Sequence, residues 1–241
     1  MAASIDAFTL ISGDDVKWQD IVTVRQPTLM DIRSVGYRRY QSYLSMLLLQ
    51  KKNVLDAMGI NDPQIADALD LYVILGADDD VRNTFIEALS FFIREPGSYD
   101  NGSFYIGGIP ATSKILDPVK SIICEISYIK LPEPPKKPKF ASKAAEELWY
   151  TMQKRRRDFE NAKAKKVDAN MELPNLISAV AAEHPGYNLT NIWNLTVYQL
   201  YDQFARINTR VQIDVYGQRW AAWGQEDFDT TMWFKNYSRK E

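Results

Sequence analysis

Four of the seven residues from Pro132 to Pro138 are proline. No α-helix passes through Leu131-Pro132-Glu133-Pro134-Pro135-Lys136-Lys137-Pro138-Lys139, because each ring fixes φ and removes a backbone donor. Proline at this density favours the polyproline II conformation and a semi-rigid spacer. The chain is therefore expected to divide into an N-terminal mainly helical domain over 1–130, a Pro/Lys linker over 131–140, and a C-terminal region over 141–241. With 241 residues in all, a chain of this size buries about 70% of its unfolded surface and folds without metal or disulfide.

Charge is segregated around the same point. Residues 130–166 carry 12 basic and 5 acidic side chains, whereas the remainder carries 17 basic and 26 acidic. The spacing predicts one long polar helix over 141–166. Its apolar stripe is only Leu148, Trp149, Met152 and Phe159. So narrow a stripe suits a helix lying on a surface or protruding from it. Lys154, Arg155, Arg156 and Arg157 could meet phosphates. Solvated solubility or docking on an acidic surface explains the same residues, and the acidic remainder of the chain opposes nucleic acid.

Elsewhere the pattern is helical. Residues 1–27 read as extended, with Val16, Trp18, Ile21, Val22 and Val24 in one or two short strands. Thr28-Leu29-Met30-Asp31 has the form of a capping box. Ile32, Val35, Tyr40, Tyr43, Leu44, Leu47 and Leu48 follow at mostly helical spacing, with Gly36 weakening the first turns and Gly59 as a stop. Asn61-Asp62-Pro63 is expected to open a helix that Gly76 ends, and Asp78, Asp79 and Asp80 to open the next, complementing its dipole. Residues 103–109 suit a strand. Asp117-Pro118 is expected to cap a short helix bearing Val119, Ile122, Ile123, Ile126 and Ile129. A short apolar helix over 173–184 ends near His184. A longer one from about 194 to about 216 keeps Val197, Leu200, Tyr201, Phe204, Ile207, Val211 and Val215 on one face. The expected class is mostly α with a minor β element near the N-terminus.

Catalytic chemistry has little to stand on. The chain holds one cysteine, Cys124, among apolar neighbours, and one histidine, His184. A zinc site or a Cys–His pair needs more than this. Asp14-Asp15 and Glu146-Glu147 lie in polar surroundings rather than in the buried, opposed arrangement of general acid–base work. Gly107-Gly108 lacks the rest of a phosphate-binding loop. A non-enzymatic protein is expected, with no cofactor and no metal. The first residues have no secretory pattern and no segment approaches the roughly 20 apolar residues of a membrane span, so an intracellular, non-membrane protein is expected.

What stands out is aromatic. Trp193, Tyr198, Tyr201, Trp220, Trp223, Phe228, Trp233 and Phe234 crowd the C-terminal region. With Trp149 and the 154–157 cluster they are the candidate partner-binding residues, since Trp, Tyr and Arg dominate interface hot spots. Core packing is the competing reading for the aromatic ones. Tyr198 and Asp202, four apart on one helix, are placed to hydrogen-bond.

Two segments carry a family resemblance. Ile21 to Tyr43 (IVTVRQPTLMDIRSVGYRRYQSY), and Ile177-Ser178-Ala179-Val180-Ala181 followed by Asn191 to Phe204 (NIWNLTVYQLYDQF), resemble small tail-morphogenesis proteins of phages of Gram-positive bacteria. Tyr37-Arg38-Arg39 stands where the usual pattern has a glutamate. The resemblance implies a tail assembly chaperone that binds the tape-measure protein or another tail protein in the host cytoplasm. It brings no catalytic residues with it. A structural component of the tail, baseplate or neck in the virion, and a nucleic-acid-binding accessory protein, are the alternatives. An acidic body with a basic arm also suits self-association.

Overall fold

The first described helix, Ala7–Ser12 (α1), lies where extended backbone is expected. Six residues are too few for a periodic signal, and isolated helices this short are marginal in water. Its support comes from elsewhere. The buried Gln26 side-chain amide donates to the Thr9 and Asp14 carbonyls at 2.8 Å each, and Gln199 Nε2 donates to the Ile11 carbonyl at 2.8 Å. This is a computed structural model that describes residues 5–60, 69–129, 142–143, 148–149, 151–152, 171–224 and 229–234.

The expected strands follow as an antiparallel hairpin, Val16–Trp18 (β1) and Val22–Val24 (β2). Beyond the hairpin, Val24 bridges Ile93, with Arg25 N–H donating to the Phe92 carbonyl at 2.8 Å and Arg94 N–H to the Thr23 carbonyl at 3.0 Å. The Thr28 capping box is formed. Asp31 N–H donates to Thr28 Oγ1 (3.2 Å) and Thr28 N–H to Asp31 Oδ2 (2.8 Å). It opens Leu29–Val35 (α2). Gly36, at φ +89°, breaks the expected single helix and a new one starts at once, Tyr37–Leu47 (α3). A side chain at that φ is strained, which is why the break falls on glycine. Lys51–Ala57 (α4) completes this part.

Two boundaries depart from expectation, at Gly76 and at Asp117-Pro118. The Asn61-Asp62-Pro63 cap lies outside the described residues. Asp70 caps the next described helix, Leu71–Ala77 (α5), by accepting the Tyr72 N–H. Gly76 does not end that helix; it lies buried within it because the Tyr99 ring packs where a Cβ would be. Asp78 then caps Asp79–Phe92 (α6), accepting from the Asp80 and Val81 amides at 3.0 Å each. Gly97–Asp100 (β3), Ser103–Ile106 (β4) and Ile109–Pro110 (β5) form a three-stranded antiparallel meander, of which only the middle strand is evident from the sequence. Ser113–Ile126 (α7) starts earlier than Asp117-Pro118 suggests. Pro118 sits inside it, and Asp117 accepts from the Tyr72 hydroxyl instead of capping.

The described C-terminal part includes Leu173–Glu183 (α8), a 3-10 turn at Ile192–Asn194, Val197–Trp223 (α9) and a second 3-10 segment at Thr230–Phe234. The protein is mostly α with small antiparallel sheets in its N-terminal part. Packing groups α3 with α6, α6 with α5 and β3, α7 with the β1–β2 hairpin, and α8 with α9. Phe85, Phe91, Phe92 and Phe104 meet Tyr40, Tyr43, Tyr72 and Tyr99 at ring-centroid separations of 4.8–6.1 Å. Residues 131–140, expected to be a linker, lie outside the described residues. On either side of them the chain shares one buried cluster. Leu176 and Val180 of α8 and Val197 and Leu200 of α9 pack with Val24, Leu29 and Phe92. Leu29 N–H donates to the Leu195 carbonyl at 2.8 Å, and Thr28 bridges Thr196.

Candidate interaction surface

The long helix α9 organises the candidate residues. Thr196 caps it with a second capping box. Gln199 N–H donates to Thr196 Oγ1 (3.2 Å) and Thr196 N–H to Gln199 Oε1 (2.8 Å). With 27 residues it spans about 40 Å at 1.5 Å per residue. The helices α6 and α7 have 14 residues each, about half that length.

Its first half is held by the body. Val197, Tyr198, Leu200 and Asp202 are buried. Tyr201 stacks on Tyr128 with centroids 4.5 Å apart and an interplanar angle of 7°, and Tyr198 meets the same ring edge-on at 6.0 Å. Burial pushes the Tyr201 hydroxyl pKa above its ordinary value, with the neighbouring tyrosines adding to the effect. The Asp202 carboxylate accepts from Arg206 Nε at 2.8 Å, one turn along. Across the interface with α8, Arg210 pairs with Glu183 at 3.4 Å.

Past Arg210 the body gives out and the helix continues. Val211, Val215 and Tyr216 are exposed, Trp220 is 54% exposed and Trp223 73% exposed. The helix ends at Gly224, whose N–H donates to the Trp220 carbonyl at 2.8 Å. The Thr230–Phe234 segment then comes to lie against α9. Asp229 starts it by accepting from the Thr231 hydroxyl (2.6 Å) and amide (2.8 Å), which holds its carboxyl below the usual carboxylate range. Phe234 is left 82% exposed.

The candidates therefore separate. Trp220, Trp223 and Phe234 are accessible apolar surface. Tyr198 and Tyr201 pack inside the protein. Trp193 is half-buried; its indole N–H donates to the Leu189 carbonyl at 2.7 Å and the Arg33 guanidinium lies 5.1 Å over its ring. Trp149 is helical and half-buried. Lys154, Arg155, Arg156, Arg157 and Phe228 lie outside the described residues, as does the Trp233 side chain. The sequence stripe put Val211 and Val215 on one face with Leu200, and on that face both are exposed while Leu200 is buried. Helix length was the signal that would have found them: a helix twice as long as its neighbours overhangs them.

Among the described residues no group of His, Cys, Asp and Glu could hold a metal ion, and no helix is long and apolar enough to cross a membrane. Cys124 is buried. His184 caps the end of α8, its Nδ1 accepting from the Gly186 and Tyr187 amides at 3.0 and 3.1 Å.

A family model described as "YomV second domain" matches residues 162–238. That family is a Bacillus phage-type one, and the likeness supports a phage-related protein. The matched span is about a third of the chain. It contains α8, all of α9 and the Thr230–Phe234 segment, so it includes both the buried and the overhanging halves of the long helix. The Ile177–Ala181 and Asn191–Phe204 stretches that carry the phage-tail resemblance also fall inside it. No curated protein and no solved structure matches the chain.

Proposed function

We propose that this chain is a non-enzymatic phage tail-assembly factor that acts in the host cytoplasm and uses the distal half of α9 to bind apolar helices of a tail protein, the tape-measure protein above all. The observation that carries this reading is the exposed Val211, Val215, Tyr216, Trp220 and Trp223 surface on a helix that the body anchors firmly at its other end. An anchored helix with an apolar, aromatic tip presents i, i+4, i+7 anchors (Tyr216, Trp220, Trp223) to a partner helix at low entropic penalty, because two-angle aromatic side chains lose little freedom on contact. The phage-type family match covers this same segment.

The test is co-expression with the tape-measure protein from the same phage or prophage. Solubilisation and co-purification of that protein are the expected result, lost when Trp220 and Trp223 are both replaced by alanine. Persistent aggregation of the tape-measure protein with no co-purification would sink the reading. Mass spectrometry of mature particles against the producing lysate separates the structural alternative: a stoichiometric presence in particles would make this a virion component.

A further inference from the structure

Away from α9, a cleft of about 600 Å³ opens between the end of α3, the start of α5 and one side of α7. Leu47, Leu48, Leu49 and Leu71 give it an apolar wall, and Lys51 of α4 and Lys120 of α7 are also on its lining. Both nearby carboxylates already hold donors. Asp117 Oδ1 accepts from the Tyr72 hydroxyl at 3.0 Å, and Asp70 Oδ1 from the Tyr72 amide at 2.8 Å. Lys120 does not share in this network. Among the described residues its ammonium makes no hydrogen bond or ion pair, and its contact is with the face of the Tyr72 ring, 4.8 Å from Nζ to the centroid. Burial draws its pKa below the ordinary lysine value, with Asp117 acting in the opposite sense. A half-buried ammonium has three donors to satisfy, and an aromatic face replaces only part of what water supplied.

We propose that this cleft binds a carboxylate carried on an apolar tail, with Lys120 taking the carboxylate and the four leucines taking the tail. The volume lies in the usual range for small-ligand sites, and the mixture of an apolar wall with a few placed charged groups is what orients an amphipathic ligand. A monoanion fits better than a phosphate, because Asp70 and Asp117 repel a dianion more strongly. The same chemistry is offered by a free fatty-acid-like amphiphile and by the C-terminal carboxylate of an apolar peptide.

Calorimetric titration of the full chain with octanoate and with acetyl-Leu-Leu, against octan-1-ol and acetyl-Leu-Leu amide, tests this. Saturable binding of at least one acid, about tenfold tighter than its neutral counterpart, is expected. Octanoate alone points to a free amphiphile, and the peptide acid alone to a chain terminus. Lys120→Met is expected to reduce the affinity about tenfold. Asp117→Asn is expected to increase it, since the amide oxygen still accepts from Tyr72 while a repelling charge is gone. If Lys120→Met fails to fold by circular dichroism, Asp117→Asn decides: unchanged or weakened binding overturns the proposal. So does binding of neither acid, or equal binding of the neutral counterparts.

Discussion

The two halves of α9 are one continuous helix with two environments. From Val197 to Thr209 its apolar and polar side chains are fitted into the body, down to a buried aspartate paired with Arg206. From Val211 to Trp223 the same kinds of residue face solvent. Both halves are helical, and the apolar stripe of the first half continues through Val211 and Val215 in the second. What differs is burial, since Val211, Trp220 and Trp223 stay exposed even with the Thr230–Phe234 segment against α9, so the same residue type supports folding in one half and is available for binding in the other.

The sharpest way to break this comparison is to truncate one leucine in the anchored half. Leu200→Ala removes a fully buried side chain and should destabilise the protein by about 3 kcal/mol in urea unfolding. A loss under about 1 kcal/mol would show the anchored half to be loosely packed. Next in size is the double change Trp220→Ala with Trp223→Ala. Affinity for the tail protein proposed as partner should drop about thirtyfold, near 2 kcal/mol, as for hot-spot aromatics, with far-ultraviolet circular dichroism and unfolding midpoint close to wild type. Unfolding of this variant instead would place the two tryptophans in the folding unit.

A smaller effect is expected from Thr196→Ala, which removes the cap at the start of α9. Loss of the Thr196 Oγ1 acceptor for Gln199 N–H should lower stability by about 1 kcal/mol, measured by the same urea titration. The smallest belongs to Val211→Ala. On the exposed stretch it should shift stability by less than about 0.5 kcal/mol, although Val211 shares a helical stripe with Leu200. Equal losses for Val211→Ala and Leu200→Ala would abolish the distinction between the halves.

Much of the secondary structure was legible in the sequence because its signals are local. The Thr28–Asp31 box, the Asp78 cap and the end of α8 at His184 each depend on hydrogen bonds spanning two to four residues. Legibility failed where a distant element decided. Helix α1 exists with Gln26 and Gln199 bonded to its carbonyls. Gly76 reads as a stop until the Tyr99 ring is seen against it. Asp117 reads as a cap until Tyr72 claims its oxygen. In the candidate site, aromatic composition marked Trp220, Trp223 and Phe234 and marked Tyr198 and Tyr201 equally. Composition carries no information about which ring has a neighbour.

The sequence by itself determined the fold class, the helix starts at Thr28, at Asp78, near 173 and near Thr196, the segregation of charge along the chain and the aromatic weight of its C-terminal region, because capping, periodicity and turn chemistry act within a few residues. Only the tertiary structure decided that α8 and α9 share a core with the hairpin and α2, and that α9 outreaches that core by a third or more of its length. Burial is a property of pairs of elements far apart in the chain. The boundary between the buried and exposed halves of α9 is therefore set by where its neighbours end, which no periodicity within the helix records.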